Sequence, residues 1–366
     1  MLLGAATKGN ITPSDSFFSS HNIQGFAGSD KEDGLAVRVL ALKDDDHLFL
    51  ILGFEAGDAP GIVFKERLAF RYGIRTEDIL TYGLHNHGLY WGRREKPIAG
   101  KIPPASESEL EYEKQVYSVT IETIDRAIAS FEEVLVRFES GNCSSLINRV
   151  DSLIPAINAM DLLEVVNKNG EQIAVMASIP CHEMFPHERK TQDEKLWVNS
   201  GIPGKLIGDL RKDHPETLFA LACAAGADQR AKDDLQSAGD IAEGIRQLLN
   251  TVGEVSNGAL KNINTVLWLN GSVPLKIQMF LVGDIAILGV AGELYADIGR
   301  KIKEISPFEK TMIITSTDRD HAGYIVSDRF FDQKTFMTKD IATPGDLEET
   351  IYSGLKRMWE AREWEH

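Results

Sequence analysis

The stretch GLAVRVLALKDDDHLFLILGF, residues 34–54, consists of two apolar runs on either side of Lys-Asp-Asp-Asp. Each run has strand length and aliphatic content, and the acidic segment between them carries turn chemistry, so the stretch predicts a strand pair. PGIVFKERLAFRYG (60–73) follows, with a proline at its start, apolar residues on a helical period and a closing glycine. These are the start and stop signals of a helix. The run ILTYGLHNH (79–87) then returns to strand character and ends in polar residues. Strands and helices alternate, which points to an α/β fold with a mixed β-sheet core flanked by helices.

The same pattern extends outward from this stretch. MDLLEVVNKNGEQIAVMASIP (160–180) reads as two strands around Asn-Lys-Asn-Gly, and KIQMFLVGDIAILGVAG (276–292) as two more around Gly283-Asp284. Ser106 and Glu109 have the spacing of a capping box ahead of a helical period that runs to Phe131. Further helices are predicted over 204–213, 239–249, 294–305 and 346–363, alternating with the apolar strands TLFALACAAG (217–226) and KTMIITST (310–317). KIPPASESE (101–109) is the most linker-like segment, yet the composition does not break there and no internal repeat or low-complexity tract occurs. A single domain over residues 1–366 is expected.

Hydrophobic residues make up 43% of the chain and charged residues 26%, ordinary globular usage that allows a sizeable core. The formal net charge of −16 would repel a phosphodiester backbone. It argues against a nucleic-acid partner, including the nuclease suggested by the letters His-Asn-His at 85–87. The three cysteines, Cys143, Cys181 and Cys223, are too few and too scattered for a disulfide framework and fit a reducing compartment. No basic start with an apolar run opens the chain, and no stretch reaches about 18 apolar residues, so neither a signal peptide nor a membrane span is expected. The expected location is cytoplasmic, and symmetric self-association into a homo-oligomer is the general expectation for a soluble enzyme.

Four apolar strands run into polar residues that can bind a metal: ILTYGLHNH (79–87), IAVMASIPCH (173–182), AILGVAGE (286–293) and MIITSTDRDHAGY (312–324). Strand ends are where side chains of an α/β sheet converge on a ligand, so His85, His182, Glu293 and Tyr324 can meet. Two imidazoles and a carboxylate form a set that zinc accepts in open catalytic sites, and a phenolate is a plausible further donor. Each residue also has an ordinary reading taken alone. A strand-end histidine is commonly just hydrogen-bonded, Glu293 suits the start of a helix, and Tyr324 after Gly323 suits a turn. Their shared placement raises all four together.

GAATKGNITPSD (4–15), DGLAVRVLAL (33–42), GLHNHG (83–88), LINRV (146–150), ASIPCHEMF (177–185), CAAGADQR (223–230), GVAGELYADIG (289–299) and DRDHAGYIVSDRFF (318–331) occur in the order of the motifs of the neutral/alkaline non-lysosomal ceramidase family. The chain resembles that family from Gly4 to about Phe336. The resemblance implies a ceramidase-like catalytic domain with a zinc ion held by His85, His182, Glu293 and Tyr324, the residues that strand-end placement also selects. It places His87 beside the metal facing the substrate, since residues i and i+2 share a face of an extended segment. It likens Asn148 and Arg149 to the family's Asn-Arg pair, where the guanidinium would hold a substrate oxygen or a developing negative charge. A surface arginine in a loop is the alternative for Arg149.

The sequence also departs from the family. The stretch Gly226 to Ala231 contains no serine where ceramidases carry a Gly-Asp-x-Ser-Pro type run, and Phe336 stands where the family has a second late tyrosine. GLYWG (88–92) replaces a Ser-Gly-Pro run, and the immunoglobulin-like domain of true ceramidases has no counterpart before His366. The expected function is therefore a zinc-dependent hydrolase acting through a metal-activated water on an amide, ester or glycoside-type bond of a small polar substrate, with ceramide disfavoured. His87 would shuttle the proton, Arg149 would steady charge, and Asp228 would orient a water or substrate hydroxyl, unless it is only a turn former. Asn148 and Trp91 would contact the substrate. The alternatives are a metal-dependent lyase or isomerase acting on a sugar or sugar acid, and a metal-retaining binding protein without catalysis.

Overall fold

The structure is a computed structural model that describes all residues except 22, 27–33, 87–88, 90–105, 183, 185–195, 252, 257, 319–321, 333–334, 340–346 and 362–366. The segment after Gly34 forms the predicted unit. Ala36–Lys43 and Leu48–Phe54 pair antiparallel, the helix Ile62–Tyr72 follows, and Ile79–Gly83 returns parallel to Leu48–Phe54. The helix ends where Gly73 turns to φ 65°, a left-handed conformation that costs glycine little. The helix spans the crossover that a parallel pair requires.

The unit of hairpin, helix and parallel strand recurs twice more. Ala159–Asn167 and Gln172–Ile179 form the second hairpin, the helix Gly201–Leu210 follows, and Leu218–Cys223 lies parallel to Gln172–Ile179. Val273–Val282 and Ile285–Val290 form the third, followed by the helix Ala296–Ile305 and by Lys310–Ile314, parallel to Ile285–Val290. The turns at Gly170 and Gly283 have φ of 83° and 61°, as their Asn-Gly and Gly-Asp sequences demand. No repeat is visible in the sequence because the three units share hydrophobic periodicity and not residue identity.

The first two units belong to one nine-stranded sheet, joined by Glu132–Asn142 and Leu3–Asn10 at its centre, and the third belongs to a four-stranded sheet whose edge is Leu260–Leu269. Ala36–Lys43 is buried along almost its whole length, as a strand covered on both faces must be. The helix Glu107–Ala129 covers this part of the sheet, with Tyr112 and Val116 on its buried face, and opens with the predicted capping box of Ser106 and Glu109. Phe49 of the large sheet stacks on Phe280 of the small one with ring centroids 4.2 Å apart, both fully buried. Such a ring contact adds about 1 kcal/mol beyond the area it buries.

Two helix boundaries differ from the sequence reading. The helix predicted over 204–213 runs from Gly201 to Leu210, so Pro203 and Gly204 lie inside its first turn and do not precede it. Proline is tolerated there because the first-turn N–H groups have no intrahelical acceptor. Asp234–Leu249 begins five residues before the predicted start at 239, Ala296–Ile305 and Leu347–Glu360 fall where periodicity placed them within a few residues at their ends, and the short helices Asp15–Ser20 and Phe336–Lys339 were not predicted.

Candidate metal centre

Each unit delivers one side chain to the same place from just beyond a strand end. His85 follows Ile79–Gly83, His182 follows Gln172–Ile179, and Glu293 follows Ile285–Val290. All three are at least nine-tenths buried. Glu293 begins a two-residue strand that pairs parallel with Tyr324–Ile325, and the register sets Glu293 directly beside Tyr324. His85 has φ 58°, a left-handed conformation that L side chains rarely adopt and that costs about 1–2 kcal/mol. Asn86, the middle letter of His-Asn-His, is buried and tied to the end of the neighbouring strand through Ala56 O and Glu55 O. It anchors the turn that carries His85.

The Nε2 atoms of His85 and His182 lie 3.9 and 3.7 Å from Glu293 Oε2, and the two imidazole rings have centroids 4.2 Å apart. The ligand atoms of this trio all fall within 4.8 Å of one another. Metal–ligand bonds of 2.0–2.2 Å in tetrahedral geometry put neighbouring donors about 3.4 Å apart, so the spacing of these donors suits one divalent ion. A carboxylate and two imidazoles are also the right donor types. The group can bind a metal, and the residues present fit it.

Tyr324 joins the same group. Its hydroxyl is 3.1 Å from His182 Nε2 and accepts a 3.3 Å hydrogen bond from Arg149 Nη2, whose guanidinium carbon lies 5.8 Å from the tyrosine ring centre. Arg149 Nε donates to Ala227 O at 2.8 Å, which fixes the plane of the guanidinium. Asp228 is buried, and its two carboxylate oxygens accept from Asn148 Nδ2 at 2.9 Å and from Ala296 N at the start of a helix at 2.7 Å. Burial pushes its carboxyl pKa up, partly offset by the hydrogen bond from Ala296. Asn148 in turn accepts from the backbone N–H groups of Val150 and Asp151. The structure therefore brings His85, His182, Glu293, Tyr324 and Arg149 together, with Asn148 and Asp228 braced behind Arg149. His87 and Trp91 lie outside the described residues.

Gln229 is a residue that sequence reasoning passed over. It is almost fully buried, its side chain bonds Ile157 N, Ile157 O and Pro180 O, and its own carbonyl accepts the His182 N–H at 3.1 Å. Its backbone pairs with Asn148 in a short antiparallel ladder. This one residue thus ties the His182 turn, through its side chain and carbonyl, to the strand before Arg149, through its backbone ladder. Nothing in the letters of GADQR marks this, since a glutamine in a glycine-containing loop is ordinarily solvated. Gly226, three residues before it, is explained only by the packing: a Cβ there would stand 2.4 Å from the Pro180 carbonyl.

No family model and no curated protein matches the sequence. Solved structures do match the fold. Neutral ceramidase from Pseudomonas aeruginosa superposes with a TM-score of 0.74 over 97% of this chain and 73% of that one, at 12% identity. A ceramidase complexed with C2 superposes equally well, at 12% identity over 97% of this chain and 74% of that one. The chain has a ceramidase-like α/β fold.

Proposed function

We propose that this protein is a zinc-dependent hydrolase acting on a small polar substrate, with His85, His182, Glu293 and Tyr324 as the metal ligands. The observation that carries the reading is the convergence of two imidazoles and a carboxylate, all buried, from three strand ends onto one point. Zinc bound there would polarise a scissile carbonyl and lower the pKa of a water toward neutrality, which supplies a nucleophile where the sequence has no serine. Arg149, held by Ala227 O and directed at the Tyr324 hydroxyl, faces the same point and steadies negative charge that develops on the substrate. Asp228 and Asn148 act by keeping the Arg149 backbone in place. His87 transfers the proton and Trp91 contacts the substrate, both on the chain that leaves His85.

The chain acts as one catalytic unit in this reading, because His85 and His182 follow strands of the large sheet while Glu293 lies in the connection between two strands of the small one. Three free, buried cysteines support a reducing, cytoplasmic setting. Among the described residues no helix is long and apolar enough to cross a membrane. Elemental mass spectrometry of the purified protein, with His85→Ala, His182→Ala and Glu293→Ala as comparisons, tests the site. Zinc near one per chain that is lost in each folded variant supports it, and a folded wild type that takes up no zinc sinks it. Oxygen-18 from water in the product then separates hydrolysis from isomerisation.

A further inference from the structure

A second polar site lies beside the small sheet. A cavity of about 350 Å³ is lined by Ile62, Lys65, Val266, Lys276, Thr317 and Asp318 among others. That volume is at the small end of ligand pockets. Lys65 projects from the helix Ile62–Tyr72 and is 7% exposed, yet the one hydrogen bond of its ammonium among the described residues is a long one, 3.3 Å to the neutral Gln278 Oε1. Gln278 cannot turn to improve it, because its amide nitrogen is bonded to Glu77 O and Ile79 O. The buried carboxylate of Asp318 is shared with Lys276 at 3.0 Å, and Glu77 at the rim is solvent-exposed. Among the described residues, the buried Lys65 ammonium therefore has no carboxylate within ion-pair distance: Asp318 is bonded to the partly exposed Lys276, and Glu77 stands at the exposed rim. Burial also pulls the Lys65 pKa down, partly offset by the Asp318 and Glu77 carboxylates.

We propose that this cavity binds a small organic monoanion, a carboxylate with a short apolar body, whose carboxylate sits between Lys65 and Lys276. The apolar body lies against Ile62 and Val266, aliphatic side chains that are 38% and 45% exposed at its edge. An ammonium held away from water gains most from a charged acceptor, and a carboxylate supplies the missing charge with two oxygens for two lysines. The site is independent of the metal reading, since it uses none of its ligands.

Calorimetric titration of the full-length chain with hexanoate tests it, with hexanamide and inorganic phosphate as comparison ligands. The expected result is saturable hexanoate binding, weakened by roughly tenfold or more in Lys65→Met, with no binding of hexanamide. Val266→Trp, which fills the cavity from a half-exposed position on an edge strand, abolishes hexanoate binding while leaving both lysines in place. It keeps the test decisive if Lys65→Met does not fold. Three outcomes overturn the proposal: no saturable binding of hexanoate by folded wild type, hexanoate binding unchanged in both variants, or binding of phosphate with hexanoate excluded.

Discussion

Two buried glutamates stand just beyond the second strand of their hairpins, Glu55 after Leu48–Phe54 and Glu293 after Ile285–Val290. Their surroundings differ. Glu55 Oε1 accepts from Arg38 Nε and Nη2, both at 2.8 Å, and Oε2 accepts from Ala36 N at 2.9 Å. Glu293 Oε2 faces two imidazoles at 3.7 and 3.9 Å, beyond hydrogen-bond reach and close to the separation of two ligands on one ion. The same topological position thus carries a closed ion pair in one unit and a ligand-like cluster in another. What decides between them is what lies opposite: Arg38 on the paired strand in the first case, and the His85 and His182 turns from the ends of two strands of the large sheet in the second.

Breaking the closed pair should give the largest effect. Glu55→Ala leaves the Arg38 guanidinium buried without its carboxylate, and chemical denaturation should show a loss of about 3–5 kcal/mol. Glu293→Gln should behave in the opposite way: metal-free stability within about 1 kcal/mol of the parent, because the amide keeps the size and hydrogen-bonding capacity of the carboxylate and both imidazoles stand beyond hydrogen-bond distance of Oε2. The parent should also gain about 3–4 kcal/mol from zinc at a hundred to a thousand times its dissociation constant, and the variant should gain none. A metal-free stability loss as large as that of Glu55→Ala would erase the distinction between the two sites.

Gln229→Ala is next in size. It strands the amide and carbonyl of Ile157 and the carbonyl of Pro180, and should cost about 1–3 kcal/mol while weakening zinc retention in a chelator competition. Unchanged zinc retention with reduced stability would show that the glutamine braces the fold and not His182. The smallest expected effect is on pH. Asp228 has a raised pKa in the folded state, so its protonated form favours folding, and that contribution is present below the unfolded value near 3.8 and lost as pH rises through the folded one. Denaturation midpoints of wild type relative to Asp228→Asn should fall as pH rises across that window, and a rise instead would mean that the Asn148 and Ala296 bonds outweigh burial.

Much of the scaffold was legible in the sequence. Apolar runs of strand length around Asn-Gly and Gly-Asp turns specified the hairpins, and Ser106 with Glu109 specified the start of the longest helix, because these signals act over a few residues. The candidate ligands were legible as polar residues where apolar strands stop. The brace at Gln229 was not, since its partners at Ile157 and Pro180 are distant in sequence. Neither was the cavity at Lys65: a lysine on a helix reads as solvated until a second sheet is packed over it.

By itself, then, the chain's hydrophobic periodicity and turn residues determined the strands, the helices and an α/β class, because each depends on local backbone preference and on which face of an element is apolar. Only the tertiary structure decided that His85, His182 and Glu293 share a single point while Glu55 is closed off by Arg38. Those outcomes depend on which strand ends lie side by side, and strand order is set by packing of residues far apart in the chain.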